Sequence, residues 1–183
     1  MSSSFTISYS FFAISAPVPS SILVVEGWVP DYALVRAVQE FRWNHYQLLV
    51  TTGEPLQKGG YLQEFDNYAE LASATLLQLG VGPDSVVTVA GPRTRLDRTY
   101  TSALAFRSWL IDSLPDVRAV NIMTLGVHAR RTRLLFQRAL GKNVNVGIIS
   151  IDDQEFDPRL WWTSSSGFQR VLEEVVGYVY AFL

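Results

Sequence analysis

A three-layer, Rossmann-like α/β fold, with about five mainly parallel strands and helices on both faces, is what this sequence predicts. Two observations carry that expectation. Short β-branched apolar runs alternate with segments of helical period from residue 20 onward. The runs are also continuous rather than alternating in polarity, as in strands covered on both faces. This rhythm implies right-handed crossovers and a parallel sheet. No repeat or interdomain linker interrupts it, so residues 20–183 read as one domain behind an arm or edge strand at 1–19.

The elements follow in order. Residues 22–25 form the first strand, ending in Glu26-Gly27-Trp28, and Pro30-Asp31 opens a helix bearing Ala33, Leu34, Ala37, Val38 and Phe41. Residues 48–52 are the second strand, stopped at Gly53. A loop with Gly59 and Gly60 leads to a helix at 65–79, closed by Gly80. The third strand is 85–89, and Thr99 is the expected N-cap of a helix over 99–110. The fourth strand, 117–125, precedes an Arg-rich helix at 128–140 with Gly141 as its stop. The fifth is 144–151. In the last helix Phe168, Val171, Leu172, Val175, Val176, Val179, Tyr180 and Leu183 share one face, which is expected to pack on the sheet.

Composition narrows the chemistry. The chain has 183 residues, is 48% hydrophobic and 17% charged, and contains no cysteine. Disorder, disulfides, thiolate catalysis and Cys-ligated zinc are thereby excluded. The first twenty residues are uncharged, and Phe5, Ile7, Tyr9 and Phe11 alternate with polar residues. That stretch lacks the basic start of a secretory signal and the ~20 apolar residues of a membrane span. A cytoplasmic and an envelope-associated location both stay open.

The net charge of −2 conceals a segregation. Residues 93–142 hold 10 basic and 3 acidic side chains, while acidic residues outnumber basic ones on either side. Thirteen of the fifteen basic residues are Arg, suited to bidentate capture of phosphate or carboxylate. The acidic flanks argue against a nucleic acid, which needs many phosphate contacts, and leave a small anion as the expected ligand.

Ligands of open α/β sheets bind beyond the carboxyl ends of the strands. Those ends present Glu26-Gly27, then Thr51-Thr52-Gly53-Glu54, then Arg98-Thr99 at a helix start, and His128 with Arg131 at another. Arg98 and Arg131 are candidates to hold the anion. Gly27, Thr52, Gly53 and Thr99 would give backbone and hydroxyl contacts, with Glu54 beside them. Glu26 and His128 are the candidate catalytic pair: an imidazole titrates near neutrality, and a carboxylate is a base or a cation ligand. Arg130 and Arg131 diverge by about 100° on a helix, so one of them faces the ligand. His45, at a helix end, reads as structural. With two distant histidines and no cysteine, a His-rich or thiolate metal site is excluded, and no metal ligand is assigned.

Val24-Val25-Glu26-Gly27-Trp28, Thr52-Gly53, Arg98-Thr99-Tyr100 through Ala103, and His128 through Arg131 occur in an order that resembles the bacterial YdcF/SanA/ElyC-like domains. The resemblance covers roughly residues 20–183 and implies a Rossmann-like fold with a role in envelope polysaccharide maintenance. It also implies a nucleotide-like ligand, S-adenosylmethionine or a divalent cation among the options. Two positions depart from the family pattern. Tyr68-Ala69 stands where relatives have Glu-Ala, and Ser102, a candidate ligand contact, stands where they have Asn. The resemblance names no reaction. A non-catalytic interaction domain in envelope assembly is the alternative expectation.

Overall fold

The computed structural model describes residues 9–56, 64–95 and 97–182. Its sheet is wholly parallel, in the order β3-β2-β1-β4-β5. The strands are β1 (Ile22–Glu26), β2 (Leu48–Gly53), β3 (Val86–Ala90), β4 (Ala119–Leu125) and β5 (Asn145–Ile151). The helices are α1 (Asp31–Trp43), α2 (Tyr68–Gln78), α3 (Arg98–Ser113), α4 (Ala129–Leu140) and α5 (Ser165–Tyr180). The predicted three-layer α/β architecture is thus present. The Gly59-Gly60 loop, Phe5, Ile7 and Leu183 lie outside the described residues.

Alternation along the strands sorts the core into two halves. Ile22, Val24, Val50, Val120 and Ile122 pack under Phe106 of α3 and Phe136 of α4. Leu23, Val25, Leu49 and Met123 face the other way, onto Leu34 and Val38 of α1 and Leu76 of α2. Helices therefore cover both faces, which is why the strands read as continuous apolar runs. Local signals set the helix starts: Pro30 precedes α1, the Asn67 side chain accepts the Glu70 amide at α2, and Ser164 Oγ accepts the Gly167 amide at α5.

Three expectations are corrected. α3 begins at Arg98, with Asp97 in the left-handed region (φ 51°) as its N-cap, so Thr99 is inside the first turn. Asp tolerates that conformation better than most residues. Residues 9–12 form a helical turn rather than an edge strand, because Tyr9 and Phe12 bury themselves beside Val127, Phe156, Trp161 and Val171. The following segment runs along the free edge of β5, where Ala16 and Ile148 exchange two backbone hydrogen bonds. That contact covers part of an otherwise open sheet edge.

The third correction concerns α5. It docks through Gly167, Val171 and Glu174, roughly a third of a turn away from the apolar stripe that the periodicity picks out. Phe168, Leu172, Val176 and Val179 are left exposed. Its neighbours are the Pro158–Thr163 turn and α4 rather than the sheet. A buried charge pairing, described next, fixes this rotation against the hydrophobic preference.

Candidate functional site

Strand order reverses between β1 and β4, the two strands that carry the chain to opposite sides of the sheet. Crevices at such reversals are where open α/β sheets bind ligands. Glu26 ends β1 there, in register with Thr52 of β2, and Thr124 sits one pair beyond Val25 and Met123. Above them stand Thr99 in the first turn of α3, and His128 and Thr132 at the start of α4. A cleft of about 390 Å³ opens over this floor.

Three acid–base groups meet in the cleft, each less than a tenth exposed: Glu26 (3%), His128 (8%) and Glu174 (6%). His128 Nδ1 lies 2.7 Å from Glu174 Oε1, and its Nε2 lies 3.7 Å from Glu26 Oε2 and 3.3 Å from Thr99 Oγ1. Glu26 Oε2 also accepts from Thr124 (2.5 Å) and Thr132 (3.1 Å). Arg131 donates twice to Glu174, Nε to Oε2 and Nη2 to Oε1, both at 2.8 Å. His128 Nδ1 and Arg131 Nη2 approach to 2.9 Å because both point at the same Glu174 oxygen. Trp28 meets the imidazole edge to face, with centroids 5.2 Å apart.

These contacts decide the charge states. Burial disfavours the imidazolium, but the carboxylates of Glu174 and Glu26 outweigh it and push the His128 pKa up to about 9. Burial likewise opposes the Glu174 carboxylate; the charges of His128 and Arg131 and their hydrogen bonds hold it down at about 2. Glu26 is burdened by burial too, yet His128 and the two threonines hold it below its ordinary value. At neutral pH the site is therefore an imidazolium braced by two carboxylates. Glu174 fixes the ring so that Nε2, the remaining N–H, faces Glu26, Thr99 and the cleft. Such a group can donate a proton or a strong hydrogen bond, and it becomes a base only on the alkaline side.

Of the residues singled out from sequence, Glu26, Thr52, Gly53, Glu54, Arg98, Thr99, Ser102, His128 and Arg131 line one cleft. Arg98 pairs with Glu54 at 2.8 Å across its mouth, the arginine side chain remaining 55% exposed. The Thr52 hydroxyl is buried and has no hydrogen-bond partner among the described residues. Gly27 is placed elsewhere. A Cβ on it would sit 2.8 Å from the carbonyl carbon of Tyr68, so its bareness lets α2 approach β1 rather than a ligand. Gly53 shares that role, since its Cβ would fall 2.7 Å from the amide of Ala69. Arg130 turns away from the site, stacked over Phe11 and donating to the Phe11 carbonyl.

Sequence reasoning missed Glu174, Thr124 and Thr132, and quoted Trp28 and Tyr68 without assigning them a place in the cleft. Glu174 was legible in one respect: it falls on a stripe with Gly167 and Val171, spaced for one helix face. A divalent cation does not fit here. Among the described residues no group of three or more acidic or histidine side chains is arranged to hold one. Both oxygens of Glu174 are taken by His128 and Arg131, and Glu26 Oε2 is taken by Thr124, Thr132 and His128. S-adenosylmethionine finds no open glycine-rich turn after β1, where Gly27 is sealed by Tyr68. Among the described residues no helix is long and apolar enough to cross a membrane. No protein-family model matches the chain, and no curated protein matches it.

Proposed function

We propose that this chain binds, and acts on, a small anionic molecule, phosphorylated or nucleotide-like, in the cleft at the β1–β4 reversal. The observation that carries this reading is the placement of His128, held at Nδ1 by Glu174 with Nε2 turned toward the cleft beside Thr99 at the N-terminus of α3. The first amides of a helix have no intrahelical acceptor, and together with the macrodipole they favour an anion. Arg98 at the mouth and the Thr52 hydroxyl, unpartnered among the described residues, add donors of the right kind. His128 would protonate a leaving group or hold a phosphoryl oxygen, and Glu26 would accept a proton from the attacking group. The ordered likeness to YdcF/SanA/ElyC-like domains points to an envelope precursor as the ligand class.

Arg98 is the residue to test. Arg131 braces a buried carboxylate, so Arg131→Ala removes a structural partner as well as a cation. A thermal-shift screen over nucleotides, nucleotide sugars, polyprenyl phosphate analogues and S-adenosylmethionine gives the readout. Ligand at about 100 times its Kd stabilises by roughly 2.7 kcal/mol, a shift of several degrees for a domain of this size. We expect such a shift with a phosphorylated compound, absent with the matching uncharged nucleoside and cut at least tenfold in affinity by Arg98→Ala. Flat melting curves across the whole panel overturn the proposal and favour the interaction-domain reading.

A further inference from the structure

We propose that Thr99 is a nucleophile, and that the cleft carries a further activity: hydrolysis of small uncharged carboxylic esters through an acyl–threonine intermediate. Three side chains stand in line. Glu174 Oε1 is 2.7 Å from His128 Nδ1, and His128 Nε2 is 3.3 Å from Thr99 Oγ1. A hydroxyl on an imidazole that a carboxylate orients is the arrangement that activates an alcohol for attack. The three groups come from α3, the start of α4 and α5, so no local motif announces them. Thr99 is half-buried and lines the cleft, whereas the buried Thr124 and Thr132 donate to Glu26.

Donors for the developing charge sit in the same turn. The Asp97 side chain makes no capping bond, and the amides of Arg98, Thr99 and Tyr100 donate to no described residue. Free amides beside an attacked carbonyl stabilise the oxyanion that forms there. In the first step Thr99 Oγ1 attacks the ester carbonyl carbon and passes its proton to His128 Nε2. The imidazolium so formed lies between Glu174 and Glu26, which favour its charge. It returns the proton to the departing alkoxide as the ester C–O bond breaks, leaving the acyl group on Thr99. Water, deprotonated by the same nitrogen, then attacks the acyl carbon, and Thr99 leaves with the proton. The balance is ester plus water to acid plus alcohol. The charged groups facing His128 are Glu26 of β1, Arg131 of α4 and Glu174 of α5, with Arg98 of α3 and Arg170 and Glu173 of α5 also on the cleft wall. The two carboxylates hold the proton on His128 up to about pH 9, so the attacking form is the one populated above that value.

p-Nitrophenyl acetate tests this on the full chain. The ester is uncharged, so its result does not depend on the anion reading of the cleft, and the two can fail separately. We expect a burst of one nitrophenolate per chain, a mass gain of about 42 Da, and the acetyl group on Thr99 by fragment-ion mapping. The absence of cysteine removes a competing nucleophile. The acylation rate should rise about tenfold per pH unit from pH 7 and level off near pH 9, with a midpoint at least one unit lower in Glu174→Gln. Thr99→Val should cost at least ~100-fold in that rate, while Thr99→Ser, which keeps the hydroxyl, should stay within about tenfold of the wild-type chain. No acetylation at all, or acetylation that maps to other residues, overturns the proposal. So does a rate indifferent to Thr99→Val, one lost equally in Thr99→Ser, or one that does not follow the His128 titration.

Discussion

His128 is the residue on which the candidate chemistry turns, and its two nitrogens are assigned different work. Nδ1 is committed to Glu174 at 2.7 Å, so the proton available to a ligand is the one on Nε2. Its pKa near 9 is a balance between burial, which opposes the charge, and two carboxylates, which favour it. Glu174→Gln removes one of those charges and leaves a polar partner for Nδ1. We therefore expect the His128 titration, followed by NMR of its ring protons, to fall by at least one pH unit in that variant. Glu26→Gln should lower it too, from the Nε2 side. A His128 that titrates near its ordinary value in the wild-type chain, or that ignores both substitutions, refutes the bracing described here.

At the scale of elements, most of the fold was legible and most of the site only partly so. Five strands, their order in the chain and the positions of the first four helices follow from local apolar period, because each of these elements buries its own apolar residues locally. In α5 the period marks the helix but not the face that docks. Glu26, His128 and Arg131 were found for a related reason: they sit where a strand stops, and the parallel sheet brings all strand ends to one edge. Glu174 was hidden because it arrives from a helix 46 residues downstream of His128, and hydrophobic period alone assigns the wrong face of that helix. Thr124 and Thr132 were hidden because a threonine in a strand or helix carries no signal of what it donates to. Gly27 was misread for the opposite reason: glycine marks a close approach without naming the partner, which here is the backbone of Tyr68. Gly27→Ala should accordingly destabilise by about 1–3 kcal/mol in urea unfolding, since backbone has to move to admit the methyl group. A neutral result would show that α2 yields at no cost. Asn67→Ala, which strips the same helix start of its cap, is expected to cost about 1 kcal/mol.

At the scale of the whole molecule, the site joins elements far apart in sequence: β1, β4, the start of α4, and α5. The free energy of its charge pairing is therefore part of the stability of the fold. A group whose native pKa exceeds its unfolded value binds its proton more tightly when folded. The stabilisation is complete below the unfolded pKa and is lost as pH rises through the native one. For His128 that window runs from about 6.5 to about 9. Glu174 works in the other sense. Its native pKa near 2 lies below the ordinary carboxylate value of 4.5, so its contribution is full above 4.5 and fades as pH falls toward 2. Stability should thus be highest between about pH 4.5 and 6.5. It should decline on the alkaline side by roughly 1 kcal/mol per pH unit until pH 9, one proton being bound in the native state and none in the unfolded. Urea midpoints taken at half-unit intervals from pH 5 to 10 measure this directly. His128→Gln and Glu174→Gln should both flatten the alkaline limb, the first abolishing its site-specific part. If the limb persists unchanged in His128→Gln, the proton responsible belongs to another group, and the imidazolium between Glu26 and Glu174 does not contribute to the fold as described.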